Sequence, residues 1–132
     1  MTPLILYAVT AMIFLAADAV MLRFVIQPLF KRNLGDWLLD PIRYGPAIGF
    51  YLAYVAGLVW LVSWPAHLAG QPGQALLNGM VLGAVAYGTY EFTNLSTLTR
   101  WSGAMVATDL VWGTVLTGVA AWAGVLALGV LV

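Results

Sequence analysis

Three carboxylates stand in apolar surroundings: Asp18 in FLAADAVMLRF, Glu91 in YGTYEFTNLSTL, and Asp109 in TDLVWGTVLTG. Each window is otherwise material for a membrane helix. An acid at the centre of such a helix costs roughly 2.5–3.5 kcal/mol on insertion scales, whereas a leucine contributes about half a kcal/mol. Residues this costly face a bundle interior and mark a pathway or a binding site. They could hold a proton, a cation or a lipid-borne group, or act as general acid and base on a membrane-dissolved substrate. Nucleophile triads and metal clusters find no support. The chain has one histidine, His67, and no cysteine, and carboxylates alone are weak metal ligands. No metal and no cofactor is expected.

Spacing predicts where the acids meet. Glu91 precedes Arg100 by nine positions and Asp109 follows it by nine. At about 1.5 Å per residue, both lie roughly 13 Å from the loop that holds Arg100. Antiparallel helices joined by a tight turn place them at one level. Asp18 lies roughly 20 Å from Lys31 by the same rise, so all three could share one layer. The faces agree: Gly83, Tyr87, Glu91, Asn94 and Leu98 make one helical stripe, bordered by Tyr90 and Thr97. Asp109 shares a face with Trp112, Gly113 and Leu116, and Asp18 with Met21, Leu22 and Val25. The candidate site is therefore Asp18, Tyr87, Tyr90, Glu91, Asn94, Asp109 and Trp112. Arg23 is the candidate charge partner, either reaching a carboxylate on another helix or snorkelling to the interface. Desolvation and mutual repulsion favour protonation of at least one acid of such a layer.

The elements that must hold these residues follow from composition. The 132 residues are 63% hydrophobic and 8% charged, against about 25% charged in a soluble domain. A membrane span takes about 20 apolar residues, so four spans and short loops use up the chain. Helices are expected at about 3–30, 47–64, 75–98 and 104–132, in a single transmembrane domain over 1–132. The fold class is all-α, an integral membrane four-helix bundle. Gly79 and Gly83 form a G-x-x-x-G that lets another helix approach closely. The stretch KRNLGDWLLDPIRYGP reads as a loop, with an interfacial turn near Trp37, Leu38 and Leu39; PAHLAGQPGQ reads as a turn.

Arg23, Lys31, Arg32 and Arg43 flank the first loop and Arg100 lies in the third, while the middle loop and both termini lack Lys and Arg. The positive-inside rule then puts the first and third loops in the cytoplasm and both termini on the outer side. Asp36 and Asp40 do not offset this, because acids weigh little in that rule. Tyr44 and Trp101 fall at the inner interface, Trp60 and Trp64 toward the outer one. A formal net charge of zero excludes a strong electrostatic partner such as nucleic acid.

At FLAADAVMLRF, LFKRNLG, FYLAYVAGLVWLV, YGTYEFTNLSTL and DLVWGTVLTGVAA, nearly the whole chain resembles a bacterial family of four-helix membrane proteins. The family is catalogued as domain of unknown function 2177. Its most specific parts map to Tyr90, Glu91, Thr93, Asn94 and Leu95, and to Asp109, Leu110, Trp112 and Gly113. The family pattern often has aspartate at the position of Glu91. It also has tryptophan three residues after the first-helix aspartate, where this chain has Met21. The resemblance implies a fold, not an activity. It also implies a multi-pass protein of the bacterial inner (cytoplasmic) membrane and a link to lipid metabolism.

Three functions remain open on these residues. The first is an intramembrane acidic site that binds a proton, cation or lipid-borne group, including for transport, which four helices would serve best as a homodimer. The second is an accessory protein or enzyme of membrane-lipid modification, with membrane lipid as partner. The third is a structural subunit of a larger membrane complex, in which the polar stripes are helix–helix glue. A site for lipid needs a groove open to acyl chains; a purely structural layer is closed and holds no ligand.

Overall fold

Prolines set several helix starts and both irregular turns. The structure, a computed structural model, describes residues 1–39 and 42–132; Asp40, one of the first loop's two acids, lies outside the described residues. The described residues are all-helical, with four long helices among them: α1 Thr2–Trp37, α2 Tyr44–Leu68, α3 Pro72–Thr97 and α4 Gly103–Leu131. Pro3 and Pro72 sit in the first turns of α1 and α3, where a missing N–H leaves nothing unpaired. Pro28 and Pro65 lie inside helices. Each follows a π turn, Leu22–Ile26 in α1 and Val59–Ser63 in α2. A proline lacks its N–H and crowds the carbonyl four residues back. The wider turn absorbs that misfit and lets the helix continue.

This corrects two expected boundaries. The first helix runs on to Trp37, past 30, and the second passes through Pro65 to Leu68, past 64. What remains of the second loop is a tight turn. The Gly70 N–H donates to the His67 carbonyl, and Gly70 adopts φ 65°, a conformation that favours glycine. The π turn of α1 also rotates its later residues, so that Ile26 is buried and Val25 is exposed. α1 ends in a 3₁₀ turn, Gly35–Trp37. At the start of α4, the Ser102 hydroxyl accepts the Met105 N–H at 3.3 Å.

Three of the four helices, α1, α2 and α4, are long and apolar enough to cross a membrane. The 26 residues of α3 are long enough, but its polar second half keeps it out of that group. That half settles its hydroxyls locally. Thr89 donates to the Val85 carbonyl, Ser96 to Phe92 and Thr97 to Thr93, at 2.6–2.8 Å.

The tightest pairing is α3 with α4. A Cβ at Gly79 would lie 2.9 Å from the Gly118 Cα, and one at Gly83 would lie 2.5 Å from the Gly113 carbonyl oxygen. In return, Tyr87 rests on Gly113 and Met80 on Gly118. In lipid no hydrophobic drive brings helices together, so this backbone-to-backbone packing supplies the attraction. The other face of α4 receives α1, with Thr10 against Gly124 and Leu6 beside it. The upper half of α2 closes the bundle. Phe14 packs on Tyr51 and Tyr54 at centroid distances of 5.8 and 5.6 Å, and the Tyr54 and Thr117 hydroxyls bond at 3.0 Å. Leu6, Phe14, Val55, Leu58, Leu116 and Leu128 form the buried centre.

Arg100 fastens the first and third loops at one end of the bundle. Its Nη1 donates to the Leu34 carbonyl at 2.9 Å and to Asp36 Oδ1 at 3.0 Å, and the guanidinium lies 4.5 Å from the Trp37 ring centre. The pair is largely exposed, so it is worth about 1 kcal/mol or less. Arg100→Ala is expected to leave the fold intact and to speed amide hydrogen exchange across 30–39. Unchanged exchange there would show that the clasp holds nothing.

Candidate functional site

A cavity of about 870 Å³ lies between α1, α2 and α3. It exists because α2 packs tightly only from Tyr51 onward. Its first turns, with Tyr44 and Phe50 exposed, stand away from α1 and α3. The π turn of α1 supplies Leu22 and Ile26 to one wall, α2 supplies Ala47, Phe50, Tyr51 and Tyr54 to another, and α3 supplies Ala86, Tyr87, Tyr90 and Asn94 to the third. Asp18 and Asp109 are the acids of its lining.

Asp18 is 3% exposed. Its Oδ1 accepts the Trp112 indole N–H at 2.9 Å, and its Oδ2 is buried with no hydrogen-bond donor. The Tyr51 hydroxyl lies beside the carboxylate as a potential donor, and Asp109 lies within electrostatic range. Asp109 also neighbours Glu91, whose Oε2 is buried and makes no hydrogen bond among the described residues. The equal spacing of Glu91 and Asp109 about Arg100 thus ends in side-by-side placement. The three acids form a chain with Asp109 in the middle, and among the described residues no three ligating side chains cluster to hold a metal.

Glu91 itself is fully buried and does not line the cavity. Each i+4 step turns the helix about 40° past a full circle. The row Gly83, Tyr87, Glu91 therefore drifts, and at Glu91 it faces α4 and the third loop. There the Trp101 indole N–H donates to Glu91 Oε1 at 2.9 Å. Trp101 does not stand free as a belt residue: it is half-buried, edge-on to Phe30 at 5.3 Å and to Tyr90 at 5.8 Å. Tyr87, Tyr90 and Asn94 do reach the cavity, and Trp112 stands behind Asp18.

Arg23 joins none of the acids. Its guanidinium lies 5.7 Å from the Phe24 ring centre and its side chain is exposed. The one ion pair among the described residues is Arg100–Asp36. Met21, where the family pattern has tryptophan, borders a shallow groove against Trp112 and Val111.

Sequence reasoning missed Tyr51, Tyr54 and Trp101. A signal existed for the tyrosines: Ala47, Tyr51, Tyr54 and Leu58 follow i+4, i+3 and i+4 steps, which make one stripe. Nothing in the sequence pointed from Trp101 to Glu91, ten residues away across a helix end.

No curated protein and no solved structure matches the chain. A family model does, over residues 3–126, nearly the whole length that builds α1 to α4. This chain belongs to the family of predicted membrane proteins designated domain of unknown function 2177.

Proposed function

We propose that the protein binds a membrane amphiphile in the cavity between α1, α2 and α3, holding its polar end at Asp18 and Asp109. The observation that carries this reading is the buried Asp18 Oδ2, without a donor, in the wall of an otherwise largely apolar cavity. An unpaired buried acceptor costs free energy that a ligand's N–H or O–H recovers. The volume falls within the roughly 300–1,000 Å³ usual for small-molecule sites. The rim residues Tyr44, Phe50 and Tyr90 are exposed, as a site reached from acyl chains requires.

In this reading the chain crosses the bacterial inner membrane four times, both termini outside. The argument for α3 as a span is that its cavity-facing groups and self-satisfied hydroxyls hide much of its polarity. The argument for orientation is the concentration of Lys and Arg at the end fastened by Arg100. The cavity then lies in the cytoplasmic half of the bilayer. Glu91, enclosed and held by Trp101, serves packing and partners Asp109.

Native mass spectrometry of the full chain in mild detergent tests this. The wild type should carry a bound amphiphile that Asp18→Asn weakens and Ala86→Trp, which fills the cavity, excludes. Arg23→Ala should retain it. A ligand-free wild type, even after incubation with a total membrane lipid extract, would leave the acids as helix–helix glue.

A further inference from the structure

We infer that the polar end of this ligand is a cation, an ammonium group carried on an apolar body. The inference rests on the cavity reading and names the class of ligand. Two observations carry it. The first is a charge imbalance. Asp18, Asp109 and Glu91 adjoin one another, and no basic side chain of the described residues meets them. Arg23 is turned to Phe24, Arg100 is bound to Asp36, and His67 packs on Trp64 beyond Pro65 in α2. Lys31, Arg32 and Arg43 are exposed about the first loop. The described residues supply no cation to this layer, so any charge its acids carry is left for a ligand to balance. An anionic head would be repelled there.

The second observation is aromatic. Tyr51 and Tyr87 lie within electrostatic range of both Asp18 and Asp109, and Tyr90 within range of Asp109. Tyr54 meets Tyr87 edge-on at 6.2 Å. Tyrosine rings that line a cavity beside carboxylates are surroundings in which an organic ammonium ion finds both a counter-charge and the negative face of a ring. An inorganic cation such as calcium or magnesium demands six or more oxygens or retained waters, and among the described residues no three His, Cys, Asp or Glu side chains gather to hold one. A hydroxyl head would satisfy Asp18 Oδ2 but would leave the rings unused. An apolar body fills the volume toward Leu22, Ile26 and Phe50.

The test is equilibrium dialysis of the full chain in nanodiscs of uncharged lipid, with empty nanodiscs as the blank. The probes are octyltrimethylammonium, 1-octanol and octyl sulfate, which share one tail. The wild type is expected to hold the ammonium probe about tenfold more tightly than the alcohol, and to reject the sulfate. Asp18→Asn, nearly isosteric, should reduce that preference to within about threefold, and Tyr51→Leu should lower ammonium binding alone. The comparison among probes uses the wild type, so it holds even if a variant fails to fold. Equal or tighter binding of the alcohol, abolished by Ala86→Trp, would overturn the cation and keep the cavity. No probe held above the blank would overturn both.

Discussion

Gly83→Leu should prevent α3 and α4 from pairing and should abolish the folded protein in detergent. A Cβ at this position would meet the Gly113 carbonyl oxygen at 2.5 Å and the Thr117 Cβ at 2.8 Å. The first is backbone and cannot rotate away, so the helices must separate. Overpacking of this kind costs about 1–3 kcal/mol for a modest increment, and Gly83→Ala should lose that much. Leucine adds three more carbons at a point where the two helix backbones already touch. The consequence passes to the site, because the same contact sets the level at which Glu91 meets Asp109 and seats Tyr87 on Gly113. Gly129→Ala is the control, since a Cβ there meets nothing within 4 Å. Reversible unfolding in mixed micelles measures the difference. Equal stability of Gly83→Ala and Gly129→Ala would show that the close approach carries no energy.

Trp112→Phe should destabilise the site while leaving every carboxylate in place. It removes the N–H that serves Asp18 Oδ1, and Asp18 Oδ2 already lacks a donor. A buried acceptor stripped of its partner costs about 1–3 kcal/mol, and more if it is charged. Removing both partners is milder, because nothing polar is left unpaired. Asp18→Leu with Trp112→Phe should therefore be less destabilised than the two single losses added together. The expected coupling is about 1–2 kcal/mol in a double-mutant cycle. Simple additivity would mean that the indole and the carboxylate do not act together. The cycle reads stability, so it stands apart from the identity of any ligand.

The helices were legible because their causes are local. Long apolar runs, a proline in a first turn and glycine at a turn each act within a few residues. The depth relation of Glu91 and Asp109 was legible for the same reason: a short loop and a constant rise fix the level of two antiparallel neighbours. The G-x-x-x-G of α3 could be read as a contact surface because only small residues permit backbones to approach so closely.

Where the sequence misled, a non-local term intervened. Pro65 read as the start of a turn, yet α2 passes through it by way of a π turn. Glu91 read as a member of the ligand stripe, but its turn around α3 carries it behind Asp109, where Trp101 covers it. Arg23 read as either a partner for the acids or an interfacial anchor; among the described residues no acid pairs with it, and its exposed side chain lies against Phe24.

What the residues alone determined is an all-helical chain of membrane character, with acids at matched depths and a glycine face ready for close contact. Each rests on composition or on constant helical rise. Tertiary structure decided which acid looks into open space, which is sealed, and which rings stand around them. Those outcomes depend on the angle at which α2 leaves α1 and α3 and on π turns that shift whole faces. A few degrees summed over three helices open or close a cavity, and no window of sequence contains that sum.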